Sequence, residues 1–242
     1  MIRLLAALLA LLCTLSCASS EETTLMVYGA ASLEDVLVEA AEDWSAASGV
    51  RVRFNFSGSN ELTRQLLAGA HADVIFSANT EELERLVEAK LVDSGTVASF
   101  VSNRMVLITQ RGASIDFDAQ HSIALAEASV PVGRYARGWM KERTESALLG
   151  GDLRTISTIN ARATLGAVEA GAVELGIVYY SDAMSSNSVV VLEDQGPDEA
   201  PAIAYPAAVL RDAREPILAR SFVAFLETRR ALFERHGFRF RP

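Results

Sequence analysis

From residue 24 onward, short β-like runs alternate with amphipathic helical stretches, and that alternation restricts the chain to an α/β fold with parallel-rich sheets flanked by helices. Thr24–Tyr28, Arg51–Phe56 and Val74–Ser77 read as the first strands, the last an apolar run of the kind covered on both faces. Ser32 opens the first helix, with Asp35 as its capping-box partner. Leu33, Val36, Leu37, Ala40, Ala41 and Trp44 share one face of that helix, and Gly49 ends it. Ser59 or Asn60 caps a helix running to about Ala68. Asn79 and Glu82 make the next capping box, with Leu83, Leu86 and Val87 facing inward.

The second half continues in the same way. Met105–Thr109 and Ile123–Ala126 are strands, and Pro131 suits the first turn of a helix that turns Tyr135 and Trp139 inward. Asn160 caps a helix over 161–170, stopped by Gly171. Leu175–Tyr180, Val189–Leu192 and Ala204–Leu210 are strands, and Glu193–Pro201 is a loop. Pro216 starts a last helix that ends before Gly237.

Residues 1–20 stand apart as a signal peptide. Arg3 is followed by an apolar run from Leu4 to Cys13, too short to span a bilayer, and then by small residues. Thr14-Leu15-Ser16-Cys17 resembles a lipoprotein box, in which Cys17 would be acylated, while Ser16-Cys17-Ala18 equally suits ordinary cleavage. Either route puts the mature chain in the periplasm or elsewhere outside the cytoplasmic membrane, with a lipid anchor in the first case.

Composition removes several function classes. Acids outnumber bases 31 to 22, a net charge of −9, which argues against a nucleic-acid partner. With 3 His and 2 Cys, both Cys before residue 18, most zinc sites and any disulfide framework are excluded. Lys90 and Lys141 are the only lysines, and neither belongs to a P-loop or follows a Ser by three residues. No nucleophile–base–acid trio can be assembled, so the chain is read as no enzyme and as needing no cofactor. His71, His121 and His236 read as packing or surface residues. Arg134 and Arg137 form either an electropositive mouth or a solvated helix face. Arg162, in the first turn of its helix, opposes the helix dipole and calls for a partner carboxylate or a role near an anion.

Four helices begin just after strands, at Ser32, Ser59, Val132 and Ala161. Helix N-termini carry unpaired N–H groups and partial positive charge, so several meeting in a cleft make an anion site without charged side chains. Taken singly, Ser32 and Ser59 read as plain N-caps.

The surrounding text resembles the molybdate-binding proteins of ABC transporters (the molybdate/tungstate solute-binding family). Gly29-Ala30-Ala31-Ser32-Leu33 is similar to the family's opening motif and Phe56-Ser57-Gly58-Ser59-Asn60-Glu61-Leu62 to its second. Gly69-Ala70-His71-Ala72-Asp73-Val74 with Ser77-Ala78-Asn79 resembles the third, and Leu175-Gly176-Ile177-Val178-Tyr179-Tyr180-Ser181-Asp182-Ala183 the late segment. Phe233–Phe238 fits the closing stretch, so the resemblance covers roughly 24–240. It implies a two-lobed type II periplasmic-binding-protein fold with a ligand cleft, one lobe from 24–101 plus 206–240 and the other from 102–205. It further implies that Ser32, Ser59 and Tyr179 offer hydroxyls, and Val132 and Ala161 backbone N–H groups, to the oxygens of molybdate or tungstate, with no protein atom on the metal. Gly58 departs from the Ser common there, and Val132 from the common Ala. A monomer delivering its anion to a membrane permease is the implied role. The same receptor for another oxyanion such as sulfate, or a ligand-sensing domain, is the alternative.

Overall fold

The computed structural model describes residues 23–116, 119–143, 145–196 and 203–240. The signal-peptide and Cys17 expectations lie outside the described residues.

Two mixed sheets carry the fold. In the first, β1 (Thr24–Ala30) runs parallel to β2 (Arg51–Ser57) on one side and to β3 (Val74–Phe76) on the other. Beyond β3 come β10 (Ile203–Val209), β4 (Ala98–Asn103) and the short β11 (Arg239–Phe240), each antiparallel to its neighbour. The second sheet has the order β7 (Leu153–Thr158), β6 (His121–Ala126), β8 (Leu175–Tyr179), β5 (Met105–Gln110) and β9 (Val189–Asp194). In it β6 is parallel to β7 and β8, while β5 is antiparallel to β8 and β9. The parallel order is broken at β4–β5 and around β10, where the chain passes between sheets. β4 and β10 pair with each other, Asn103 opposite Ile203, with a bulge at Tyr205/Pro206.

The helices cover the sheet faces as the apolar periodicity requires. α1 (Glu34–Ser48) buries the expected stripe and ends at Gly49 in the left-handed region, φ 72°. It shares a core with α7 (Pro216–Glu227) and α8 (Arg230–Arg235) through Trp44, Phe222 and Phe233. α2 (Ser59–Leu67) and α3 (Thr80–Glu88) cover the opposite face through Leu62, Leu66, Leu83 and Leu86. On the second sheet α4 (Pro131–Lys141) sits on one face and α5 (Ala161–Glu169) on the other, the latter through Leu165 and Val168. Asp73, from the third motif, is a staple: its carboxylate accepts from Met26 N at 2.7 Å and Arg214 N at 2.8 Å.

Several local expectations fail, each for a physical reason. Ser32 does not cap α1: it lies inside a 3₁₀ turn (Ala31–Leu33), and its hydroxyl bonds Tyr205 instead. Asn79 precedes α3 but forms no capping box, because its amide donates to Glu81 at 2.7 Å and its carbonyl oxygens receive the Ser77 hydroxyl. Ser59 is the first residue of α2, after Gly58, and caps nothing. Val87 is exposed. Tyr180 leaves the strand and starts α6 (Tyr180–Met184), since the Asp182 carboxylate takes the Tyr179 N–H at 3.2 Å. The last helix is two, broken where the Thr228 hydroxyl donates to Phe225 O at 2.6 Å.

Candidate functional site

The ends of β1, β2, β6, β7 and β8 point toward one another, and the turns that follow them enclose a cavity between the two sheets. All five residues expected from sequence line it: Ser32, Ser59, Val132, Ala161 and Tyr179. Its volume is about 20 Å³. Pockets for drug-sized ligands run to roughly 300–1,000 Å³. This one therefore suits a compact ion.

Each lining group is set by local sequence. Pro131 is the first residue of α4, so the N–H groups of Val132 and Gly133 fall in a first turn with no intrahelical acceptor. Gly133 lets that turn press against the end of β6, since a Cβ there would lie 2.1 Å from Glu127 O. In α5 the Asn160 side chain takes the Ala163 N–H at 2.9 Å, as the sequence predicts, and leaves the N–H groups of Ala161 and Arg162 without an intrahelical acceptor. Ser59 Oγ accepts from Ala78 N at 2.9 Å, so its own proton is free to turn forward. Gly58 has no room for the Ser common in its place unless Asn60 moves, because a Cβ would meet Asn60 Oδ1 at 2.8 Å.

Tyr179 is the most informative side chain. Its hydroxyl is buried and has no hydrogen-bond partner among the described residues. Burial raises its pKa well above 10, and the neighbouring Tyr205 hydroxyl adds to the effect. It therefore stays protonated and is a donor in waiting. No Lys, Arg, His, Asp or Glu lines the cavity among the described residues.

Charges sit just behind and across this lining. Arg162 bridges the two sides of the cleft: its Nη2 pairs with Asp35 on α1, and its Nη1 donates to Ser185 Oγ at 2.7 Å. Its Nε lies 3.8 Å from the buried Asp182 carboxylate. Burial opposes the Arg162 charge, but Asp182 and Asp35 outweigh it and hold the pKa above its ordinary value. The partner carboxylate expected for Arg162 is thus present in Asp35, with the buried Asp182 carboxyl close behind it. Arg134 makes a second bridge, to Glu81 on α3 at 2.8 Å. Arg137 instead turns back onto Ala126 O and Gly133 O. His121 bonds Asp116 O, and His236 bonds Glu39. No cluster of metal ligands occurs among the described residues.

Sequence reasoning missed Asp35, Glu81, Asn103 and Tyr205 as neighbours of the site. Only the cation in the first turn of α5 signalled one of them.

Residues 25–239 match the family described as bacterial extracellular solute-binding protein. The chain is a bacterial extracellular solute-binding protein. As such it is an extracytoplasmic component of ABC transport, a family that hands its ligand to a membrane permease. This solute-binding protein is 32% identical over 227 residues to the molybdate-binding protein ModA of Mycobacterium tuberculosis (strain H37Rv), covering 89% of this chain and 84% of that one. It is 28% identical over 236 residues to ModA of Escherichia coli K12, covering 91% of each. The periplasmic molybdate-binding protein of Azotobacter vinelandii superposes with a TM-score of 0.74 at 18% identity, over 90% of this chain and 100% of that one. The fold is the type II periplasmic-binding-protein fold.

Proposed function

We propose that the protein captures molybdate, or tungstate as a cargo of the same geometry, and presents it to its permease. The single observation that carries this reading is a small cavity lined by donors and free of cations, with the unpartnered Tyr179 hydroxyl among them. A doubly charged tetrahedral oxyanion is acceptor-only, and charge-assisted bonds from fixed donors are strong. Spreading its charge over hydroxyls and helix N-termini avoids burying a compensating cation. Ser32, Ser59, Val132, Ala161 and Tyr179 are assigned as the oxyanion ligands. The relatives' printed ligand supports molybdate over other ions. The segments 24–101 plus 206–240 and 102–205 are assigned as the two lobes that close on the anion.

Calorimetric titration of the mature protein with molybdate, tungstate, sulfate and phosphate tests the assignment. Phosphate keeps a proton near neutral pH, and no carboxylate lines the cavity among the described residues to accept it. An unpaired buried polar group costs about 1–3 kcal/mol, and a charge-assisted bond is lost as well. Phosphate should therefore bind at least ~100-fold more weakly than molybdate. Sulfate passes the protonation test and is expected to bind more weakly through looser fit. Phosphate competing as well as molybdate would place an acceptor in the cavity and sink the residue assignment.

A further inference from the structure

Of the three serines that line the cavity, Ser32 and Ser59 each hydrogen-bond a residue far away in sequence or on another element. Behind Ser59 the donor is the Ala78 N–H, which cannot reverse. Behind Ser32 the partner is a phenol, Tyr205 Oη at 2.9 Å, and a pair of hydroxyls can run either way. One residue further back, Asn103 favours one of the two directions. Asn103 Oδ1 accepts the Arg104 N–H at 2.9 Å, so the other amide atom is the nitrogen. That nitrogen has two protons, one on Ser181 Oγ at 2.8 Å and one directed at Tyr205 Oη at 3.4 Å. A phenol oxygen that receives a proton from Asn103 keeps its own proton to give, and Ser32 Oγ at 2.9 Å is an acceptor within reach. Ser32 Oγ then accepts at the back, and its own proton is left to point into the cavity.

We infer that Tyr205 is a positioning residue that locks Ser32 as a donor and so sets the cavity's discrimination between deprotonated and protonated oxyanions. This rests on the oxyanion reading above. Tyr205 itself is buried, lies outside the cavity lining, and sits at the bulge of β10, where that strand pairs with β4. With the lock in place, an anion that carries a proton meets a donor at Ser32. Without it, Ser32 can rotate and accept that proton.

Tyr205→Phe keeps the ring that packs edge-on against Tyr179 at 5.7 Å and Phe238 at 5.5 Å. Affinities for molybdate and phosphate are measured at pH 8 on the wild type, Tyr205→Phe, Ser32→Ala and the double variant, after a melting curve on each. The expected result is that Tyr205→Phe narrows the phosphate-to-molybdate ratio by about tenfold or more, while molybdate itself weakens only a few-fold. In the Ser32→Ala background the Tyr205 substitution should change the ratio no further. A packing or hinge role would weaken both anions alike and leave the ratio unmoved, and that outcome overturns the inference. Should Tyr205→Phe fail to fold, Ser32→Ala alone reads the polarity. It weakens molybdate if Ser32 is a donor, and it leaves affinity unchanged or improves it if lone pairs face the anion, which overturns the lock. A wild type that binds neither molybdate nor tungstate but retains the phosphate-to-sulfate contrast overturns the cargo assignment alone. Binding of none of the four anions overturns the oxyanion reading and the lock together.

Discussion

A buried phenol without a hydrogen-bond partner among the described residues costs free energy, and Tyr179 tolerates that cost where a charged oxygen can complete it. Hydrogen bonds to charged groups contribute roughly 1.5–3 kcal/mol, so Tyr179→Phe should weaken anion binding by about 10- to 150-fold. Tyr180→Phe is the control. Tyr180 starts α6 under the Arg104 guanidinium, 3.5 Å from its ring centroid, and its loss should leave affinity nearly unchanged by calorimetry. Asp182, directly behind, carries a different signature. Burial pushes its carboxyl up to about 7, against the pull of Arg162 and the Tyr179 N–H and with a further push from Asp35. The folded chain therefore holds that proton more tightly than the unfolded one. Its stabilising contribution is complete below about pH 4, near the ordinary value of an aspartate, and is lost as pH rises to about 7. The melting temperature of Asp182→Asn minus that of the wild type should accordingly grow between pH 4 and pH 8. A flat difference would mean that Asp182 ionises as an exposed acid does. Among single residues, those whose role is local were legible in the sequence: Asn160 caps from three residues away, and first-turn N–H groups need no particular side chain. Tyr205 was not legible, because Ser32 lies 173 positions away and no local pattern connects them.

At the scale of elements, strand-to-helix junctions do the positioning, and α4 shows how tightly. Helix propensity alone favours Ala over Gly by about 1 kcal/mol. At Gly133 that preference should be reversed, because the new Cβ would meet the carbonyls of Glu127 and Ala126 at 2.1 and 2.4 Å. Gly133→Ala should destabilise by about 1–3 kcal/mol in urea unfolding and draw the Val132 N–H out of reach of the anion, weakening binding. A stabilised variant would show that α4 has slack. The same junctions explain which elements could be read beforehand. β1, β3, β6 and β8 are buried apolar runs, and each was visible. β7 has four exposed residues in its middle and offers no apolar run to read. β4 begins with exposed residues, and β11 has only two. The capping boxes at Ser32 and Asn79 were over-read. Their spacing is right, but a stronger acceptor or donor stands nearby in the fold, and sequence spacing contains no information about it.

Across the whole molecule, two ion pairs straddle the cleft on either side of the cavity. Arg134–Glu81 is largely exposed and contributes about 0–1 kcal/mol at most. Arg162 is better shielded and touches three partners from both sides, Asp35, Ser185 and Asp182. Arg162→Ala should therefore speed anion release in stopped-flow measurements by about tenfold, with a smaller effect on capture, whereas Arg134→Ala should change release less than threefold. Equal effects from the two would mean that neither holds the cleft shut. Which faces of the molecule meet was legible only through family resemblance. The lining of the cavity without cations also has an electrophoretic consequence. The full sequence carries −9, and among the described residues no Lys, Arg, His, Asp or Glu lines the cavity to take up a proton as a dianion enters, so the charge of the cargo adds undiminished to that of its carrier. Loaded and empty protein should run as separate bands in a native gel, the loaded one nearer the anode, and the ratio of the two bands would report occupancy with no label on either.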